Sequence, residues 1–184
     1  EGKVGSIAKG NHTYTAGICI VYNGSNGSTY ADELIINNCV NNGEIEGDIV
    51  AGIIGNSSGN LKLSDCENNG AINGRYSAGG IAQCIENKNS NEAEVSNCIN
   101  NGNVFGGEEA AGIIDYAEGI TVTNCINNGN ISSNGYVGGI FSYTSSVKGT
   151  GLVNNGKISG LEDIGGISAY DEGNSIFSKL YNTG

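Results

Sequence analysis

A five-residue motif, Cys-x-Asn-Asn-Gly, returns along this chain, and its spacing constrains the fold more than any other feature. It reads Cys39-Val40-Asn41-Asn42-Gly43, Cys66-Glu67-Asn68-Asn69-Gly70, Cys98-Ile99-Asn100-Asn101-Gly102 and Cys125-Ile126-Asn127-Asn128-Gly129. Leucine replaces cysteine in Leu152-Val153-Asn154-Asn155-Gly156, and the chain closes on Leu180-Tyr181-Asn182-Thr183-Gly184. Successive motif glycines lie 27, 32, 27, 27 and 28 residues apart. A fixed period of this length marks supersecondary units that stack on one another. The longer interval contains the polar stretch from Glu86 to Asn91, which reads as a surface loop.

Two further landmarks recur. About ten residues after each motif glycine comes Gly-Ile: Gly52-Ile53, Gly80-Ile81, Gly112-Ile113, Gly139-Ile140 and Gly166-Ile167. A short alternating stretch ends before each anchor, with Leu34/Ile36, Leu61/Leu63, Ala93/Val95 and Ile120/Val122 as its apolar members. Each period therefore carries three short strand-like pieces and no sustained helical period. Such pieces bury a face only by stacking on the next copy, at about 4.8 Å per rung. The expected fold is all-β, a three-sided parallel β-solenoid of about six rungs, held by nearest-neighbour contacts. Alternation points Cys39 and its equivalents inward, with Ile45, Ile72, Val104, Ile131 and Ile158 inward on the next side. The repeat glycines are assigned to sharp turns that use positive φ.

The asparagines Asn41, Asn68, Asn100, Asn127, Asn154 and Asn182 hold one motif position in every copy. Stacked amides at that spacing form a structural ladder, each donating to the next and satisfying polar groups at a corner. The single domain is expected to span residues 1–184. Residues 1–38 form an atypical first turn with an inserted loop at 22–30, and residues 39–184 form the regular rungs. Both ends fall at the same phase of the repeat, so the chain reads as a slice of a larger protein or as a unit that stacks end to end.

Composition supports a folded, acidic protein. The chain has 184 residues, 32 glycines, 28 asparagines and 23 isoleucines, no proline and a formal net charge of −11. The charged fraction is only 15%, unlike the low-hydrophobicity, high-charge signature of disorder. The acidity argues against nucleic acid and against anionic membrane surfaces. No apolar run approaches the roughly 20 residues of a membrane-spanning helix.

The run Gly43-Glu44-Ile45-Glu46-Gly47, Ala51-Gly52-Ile53-Ile54-Gly55, Gly59-Asn60-Leu61, Cys66-Glu67-Asn68-Asn69-Gly70 resembles the GLUG repeat. Ile158-Ser159-Gly160 followed by Ile164-Gly165-Gly166-Ile167 resembles it again. The resemblance covers most of the chain apart from Cys19–Asn38. It departs from the pattern in having Gly-Ile for most Gly-Leu dipeptides, and in keeping the following glycine only at Gly52–Gly55. The resemblance implies a non-catalytic part of a large bacterial surface or secreted protein, such as an adhesin-like protein or an immunoglobulin A protease. Localisation is accordingly expected to be extracellular or at the cell surface.

The chemistry legible in the residues is sparse, and no enzyme activity and no cofactor are expected. His12 is the only histidine and Arg75 the only arginine, which disfavours a nucleophile–base pair and an acid-plus-arginine lyase site. Cys39, Cys66, Cys98 and Cys125 share a slot that leucine fills elsewhere, so they read as buried free thiols. No Cys-x-x-Cys or Cys/His spacing points to zinc. Asp48, Glu108, Glu109, Glu162 and Asp163 read as a solvated acidic edge, with a weak Ca²⁺ site as the sharper alternative. Tyr116, Tyr143 and Tyr170 follow Gly-Ile at equal distance in successive rungs, and stack as an aromatic ladder or as a platform for glycan or peptide. Val40, Ile99, Ile126, Val153 and Tyr181 follow the anchors and form an outward apolar stripe suited to self-association. The expected role is a spacer, adhesin or interaction surface, with homo-association head to tail or side by side and a glycan or host protein as partner. The alternative is a carbohydrate-binding module serving an enzyme on the same polypeptide.

Overall fold

The computed structural model describes residues 4–5, 13–20, 33–87 and 93–184. The protein is a three-sided parallel β-solenoid with turns roughly 27 residues apart, and no helix occurs among the described residues. The six motif copies pair in register in one six-stranded sheet, so they bound about five full turns. Val4–Gly5 and Tyr14–Ala16 pair with Ile45–Ala51 and supply part of an earlier turn. Val4 sits in register with Ile45. The inserted loop at 22–30, His12 and most of the 86–91 loop lie outside the described residues.

One turn shows the local pattern. It runs Ile99–Asn100, Val104–Gly106, Glu109–Ala111, Ile114–Glu118 and Thr121–Thr123. That is five strand segments, where apolar alternation picks out three. The two-residue strand Ile99–Asn100 is too short to alternate. The second extra piece arises where Ile72–Gly79 runs unbroken in one turn but splits into Val104–Gly106 and Glu109–Ala111 in the next.

That split side encloses a second core. The main core contains Ile53, Leu63, Val95, Ile113 and the anchors Cys66, Cys98 and Cys125. The expected inward column Ile45, Ile72, Val104 and Ile131 is buried, with Ile158 partly so. It packs with Val50, Ala78, Ala110 and Val137 in a cluster of its own. The chain thus folds a side lobe onto each rung, and the lobe stacks along with it.

The repeat glycines serve close approach more than positive φ. A Cβ on Gly112 would lie 2.2 Å from the Gly139 carbonyl oxygen and 2.4 Å from Asn127 Cγ. Asn-Asn-Gly and Gly-Ile therefore recur together for one reason: the amide of each motif packs against the bare backbone of a Gly-Ile step. The left-handed turns lie elsewhere: in the residue before each anchor, Lys179 at 52° included, and at a second corner through Gly59, Gly119, Ser146 and Asn174. Asn38, Asp65, Asn97 and Asn124 have φ of 51°, 54°, 53° and 54°, and Gly151 continues the column at 67°. Asn, Asp and Gly are the residues that tolerate this region best.

Candidate functional site

The asparagine ladder is continuous. Nδ2 of Asn41, Asn68, Asn100, Asn127 and Asn154 each donates to Oδ1 of the next copy, ending at Asn182, over 2.7–2.8 Å. The same nitrogens donate to the carbonyl of their own motif glycine at 2.8–2.9 Å. Asn68, Asn100, Asn127 and Asn154 are fully buried. A second ladder, not anticipated from the sequence, runs through the next residue. Asn69, Asn101, Asn128 and Asn155 donate to the preceding copy at 2.8–2.9 Å, and their side chains lie at the surface. Its signal was the invariance of the second asparagine in five of the six motifs.

The three tyrosines do stack. Tyr116 and Tyr143 have ring centroids 4.6 Å apart at 5°, and Tyr143 and Tyr170 are 5.5 Å apart at 27°. Their faces are pressed against one another, so the column presents ring edges and hydroxyls outward. The Tyr116 hydroxyl donates to Glu118 at 3.1 Å, and that of Tyr143 donates to Glu172. Burial, and next the bond to Glu118, push the Tyr116 phenol up; the bond to Glu172 leads in pushing Tyr143 up to about 12. Tyr143 is sandwiched between its two column neighbours, while Tyr170, at the end of the column, is 44% exposed.

Beside this column lies a buried polar cluster that the repeat conceals. Asp115 is fully buried, and Ser77 and Ser142 donate to its carboxylate. Gln83 Nε2 adds a bond to Asp115 at 3.3 Å and one to Ser77 Oγ at 3.2 Å. Burial raises the Asp115 carboxyl despite the three donors, which act to lower it. Glu109, stacked in register on Ser77, is raised to about 7 by burial, then by Asp115 and Glu108. Tyr136 stacks on Glu109 in the next turn, and its ring tilts across Tyr170 at 6.0 Å. The residues equivalent to Asp115 in neighbouring turns differ, so periodicity alone does not reveal the cluster. The detectable signal was a carboxylate set directly after the apolar pair Ile113-Ile114.

The acids proposed for Ca²⁺ are not gathered. Tyr136 occupies the register position between Glu109 and the Asp163 step. Asp48 is buried and accepts from Thr13 N and Oγ1 at 3.4 Å. Glu108, Glu162 and Asp163 are exposed. Among the described residues no group of three or more His, Cys, Asp or Glu side chains could hold a metal ion. Arg75 sits 5.2 Å from the centre of the Tyr76 ring.

The six cysteines are free thiols; Cys66, Cys84, Cys98 and Cys125 are buried, and Cys19 and Cys39 partly so. Cys84 stacks in register with Tyr116, and Cys19 bridges to Ile54. The column Val40, Glu67, Ile99, Ile126, Val153 and Tyr181 is in register as expected. Val40 and Tyr181 are exposed at 49% and 63%, while Ile99, Ile126 and Val153 are half-buried by their neighbours.

No family, no curated protein and no solved structure matches this chain.

Proposed function

We propose that this chain is a non-catalytic module of an extracellular bacterial protein, serving as a rigid spacer and interaction surface. The observation that carries this reading is the unbroken amide ladder from Asn41 to Asn182. Its polar groups are spent on joining rung to rung, and the tyrosine and outer asparagine columns repeat the same use. Such a chain gives length and stiffness along one axis, because each turn is held by its neighbours. The resemblance to the GLUG repeat supports the surface setting. The outward column Val40, Ile99, Ile126, Val153 and Tyr181 supports weak lateral self-association, since a stripe of this size is below a standard interface.

The test is single-molecule extension with handles at the two ends. A rigid spacer holds its length under load and then yields in steps of whole turns, and Asn100→Ala lowers the force of the first step. Gradual extension at the lowest applied force would overturn the spacer role. Antibody labelling of intact cells tests the location: signal only after lysis would overturn the extracellular assignment.

A further inference from the structure

Nine Asn-Gly steps occur in the chain, seven of them among the described residues. Asn-Gly is a self-reactive step. The glycine nitrogen, unhindered by a Cβ, can attack the amide carbon of the side chain before it. The fold holds these steps very differently.

Four of them, Asn69-Gly70, Asn101-Gly102, Asn128-Gly129 and Asn155-Gly156, belong to the outer ladder. Each of these amides is gripped at both polar atoms. Its Nδ2 donates to the preceding copy at 2.8–2.9 Å, and its Oδ1 accepts from the following one, with Thr183 Oγ1 serving Asn155 at 3.0 Å. The four glycines are buried, and a Cβ on any of them would overlap the carbonyl oxygen of the preceding motif glycine. The amide has no freedom to turn, and a closing ring has no room. Asn73 is tied to Glu44 at 3.1 Å, and Gly74 is buried inside the strand Ile72–Gly79. Asn42 ends the ladder: its Oδ1 accepts from Asn69, and its Nδ2 has no partner among the described residues.

Asn134-Gly135 differs from all of these. It forms the corner between Ile131–Ser133 and Tyr136–Gly138, and Asn134 is exposed there. Its amide has no partner among the described residues. Gly135 backs onto the Glu108 carbonyl but is only half-buried. The Gly135 N–H donates to Ser133 Oγ at 2.9 Å, a hydroxyl free to rotate toward the Glu108 or Tyr136 carbonyl instead.

We propose that Asn134 is a modification site, converted without an enzyme to aspartate and isoaspartate, and that the outer ladder shields the motif steps from the same reaction. The inference is independent of the spacer role. The Gly135 nitrogen, once its proton has gone to solvent base, attacks Asn134 Cγ. The new C–N bond closes a succinimide, the Cγ–Nδ2 bond breaks, and the amide nitrogen leaves as ammonia. Water then opens the ring at either carbonyl and leaves a carboxylate. Isoaspartate also lengthens the main chain by one carbon just before Tyr136, which stacks in register on Glu109. The modification therefore loosens the side lobe at one turn and leaves the inner ladder intact. In the ladder itself the same change would be harmful, because an aspartate at position 101 could no longer donate to Asn69 and Glu67.

The experiment incubates the folded 184-residue chain in warm, mildly alkaline buffer. Peptide mapping by mass spectrometry follows amide-to-acid conversion at each Asn-Gly step, with the urea-unfolded chain as reference. The unfolded chain converts all steps at similar rates. In the folded chain Asn134 converts first and Asn42 follows more slowly. The four ladder steps are at least about tenfold slower than Asn134, since two hydrogen bonds must break before the amide turns. Asn128→Ala removes the acceptor for Asn155 and the donor to Asn101. It should speed conversion at those two steps severalfold and leave Asn134 unchanged, with circular dichroism confirming the fold. If that variant fails to fold, Thr183→Ala, which frees Oδ1 of Asn155, decides. An Asn134 that stays intact while the unfolded chain converts, or ladder steps as fast as Asn134, would overturn the site. Rates at Asn101 and Asn155 unmoved by the broken ladder would overturn the shielding.

Discussion

Asn100 and Asn101 are adjacent, identical in chemistry and engaged in parallel ladders, yet they do different work. Asn100 is fully buried, and its Nδ2 serves both Asn127 and the Gly102 carbonyl. Asn101 is at the surface, where its Nδ2 serves Asn69 and Glu67 and water can replace either partner. The two ladders also run in opposite directions. The inner one donates toward the C-terminal turns and the outer one toward the N-terminal turns. The lesson is that a hydrogen bond's count says little about its worth; the cost of leaving its partners unsatisfied decides.

The sharpest way to break the comparison is Asn100→Ala. It removes the donor to Gly102 O and Asn127 Oδ1 and the acceptor for Asn68 Nδ2, all within the buried corner. At about 1–3 kcal/mol per stranded buried group, the loss should be at least about 3 kcal/mol. Urea unfolding followed by circular dichroism measures it.

Gly112→Ala attacks the same corner from the other side. The new methyl would meet Gly139 O and the Asn127 amide well inside contact distance. Turns must separate locally, and overpacking of this kind costs about 3 kcal/mol. A smaller loss than at Asn100 is expected, because backbone and amide can share the displacement. An unchanged melting curve would show that the close approach is dispensable.

How far the sequence reveals these features depends on whether a feature repeats. Asn41 to Asn182, the tyrosine column and the inward isoleucines are legible because period and rung are the same length, so equal positions become neighbours. The second core is less legible. Its far wall uses Val50, Ala78, Ala110 and Val137, and small residues next to glycine do not stand out as a strand. The Asp115 cluster is harder to see, because Gln83 and Ser142 share its register position in the adjacent turns but differ from it in identity, and Ser77 comes from another side. The repeat glycines mislead in another way. Their identity marks where backbone meets amide, and the positive-φ corners fall to Asn38, Asp65, Asn97 and Asn124 instead.

A third prediction concerns that hidden cluster. Glu109 in the folded chain has its carboxyl raised from 4.5 to about 7, first by burial. The folded state therefore holds this proton more tightly than the unfolded chain. The stability it contributes is complete below about pH 4.5 and is lost as pH rises through about 7. Wild type minus Glu109→Gln, measured from pH 4 to 8, isolates the effect. The variant should gain on the wild type across that window, and a difference that stays flat would count against a raised carboxyl.

Asn101→Ala is the control that gives the comparison its meaning. It removes bonds of nearly the same length, 2.8 Å against 2.7–2.8 Å at Asn100, but at the surface. The expected loss is below about 1 kcal/mol, since exposed partners return to water. Equal losses at Asn100 and Asn101 would mean that ladder continuity, and not burial, sets the stability.

The smallest effect on folding is expected one residue beyond the inner ladder, at Ile126. It sits between Ile99 and Val153 on the outward side of the strand that carries Asn127. The side chain is half-buried by its column neighbours and faces away from the core. A lysine there can lay its methylene stem along Ile99 and Val153 and keep the ammonium in water. Ile126→Lys should therefore cost below about 1 kcal/mol, although Asn127 beside it tolerates no such change. The same substitution places a charge in the middle of the apolar column, so any lateral association through that column should weaken. Sedimentation velocity at rising concentration separates the two consequences. Association of the wild type that vanishes in a stably folded variant supports the stripe as contact surface. A variant that fails to fold would show that the outward side of this strand is as tightly specified as the inward one, and would remove the distinction on which the comparison rests.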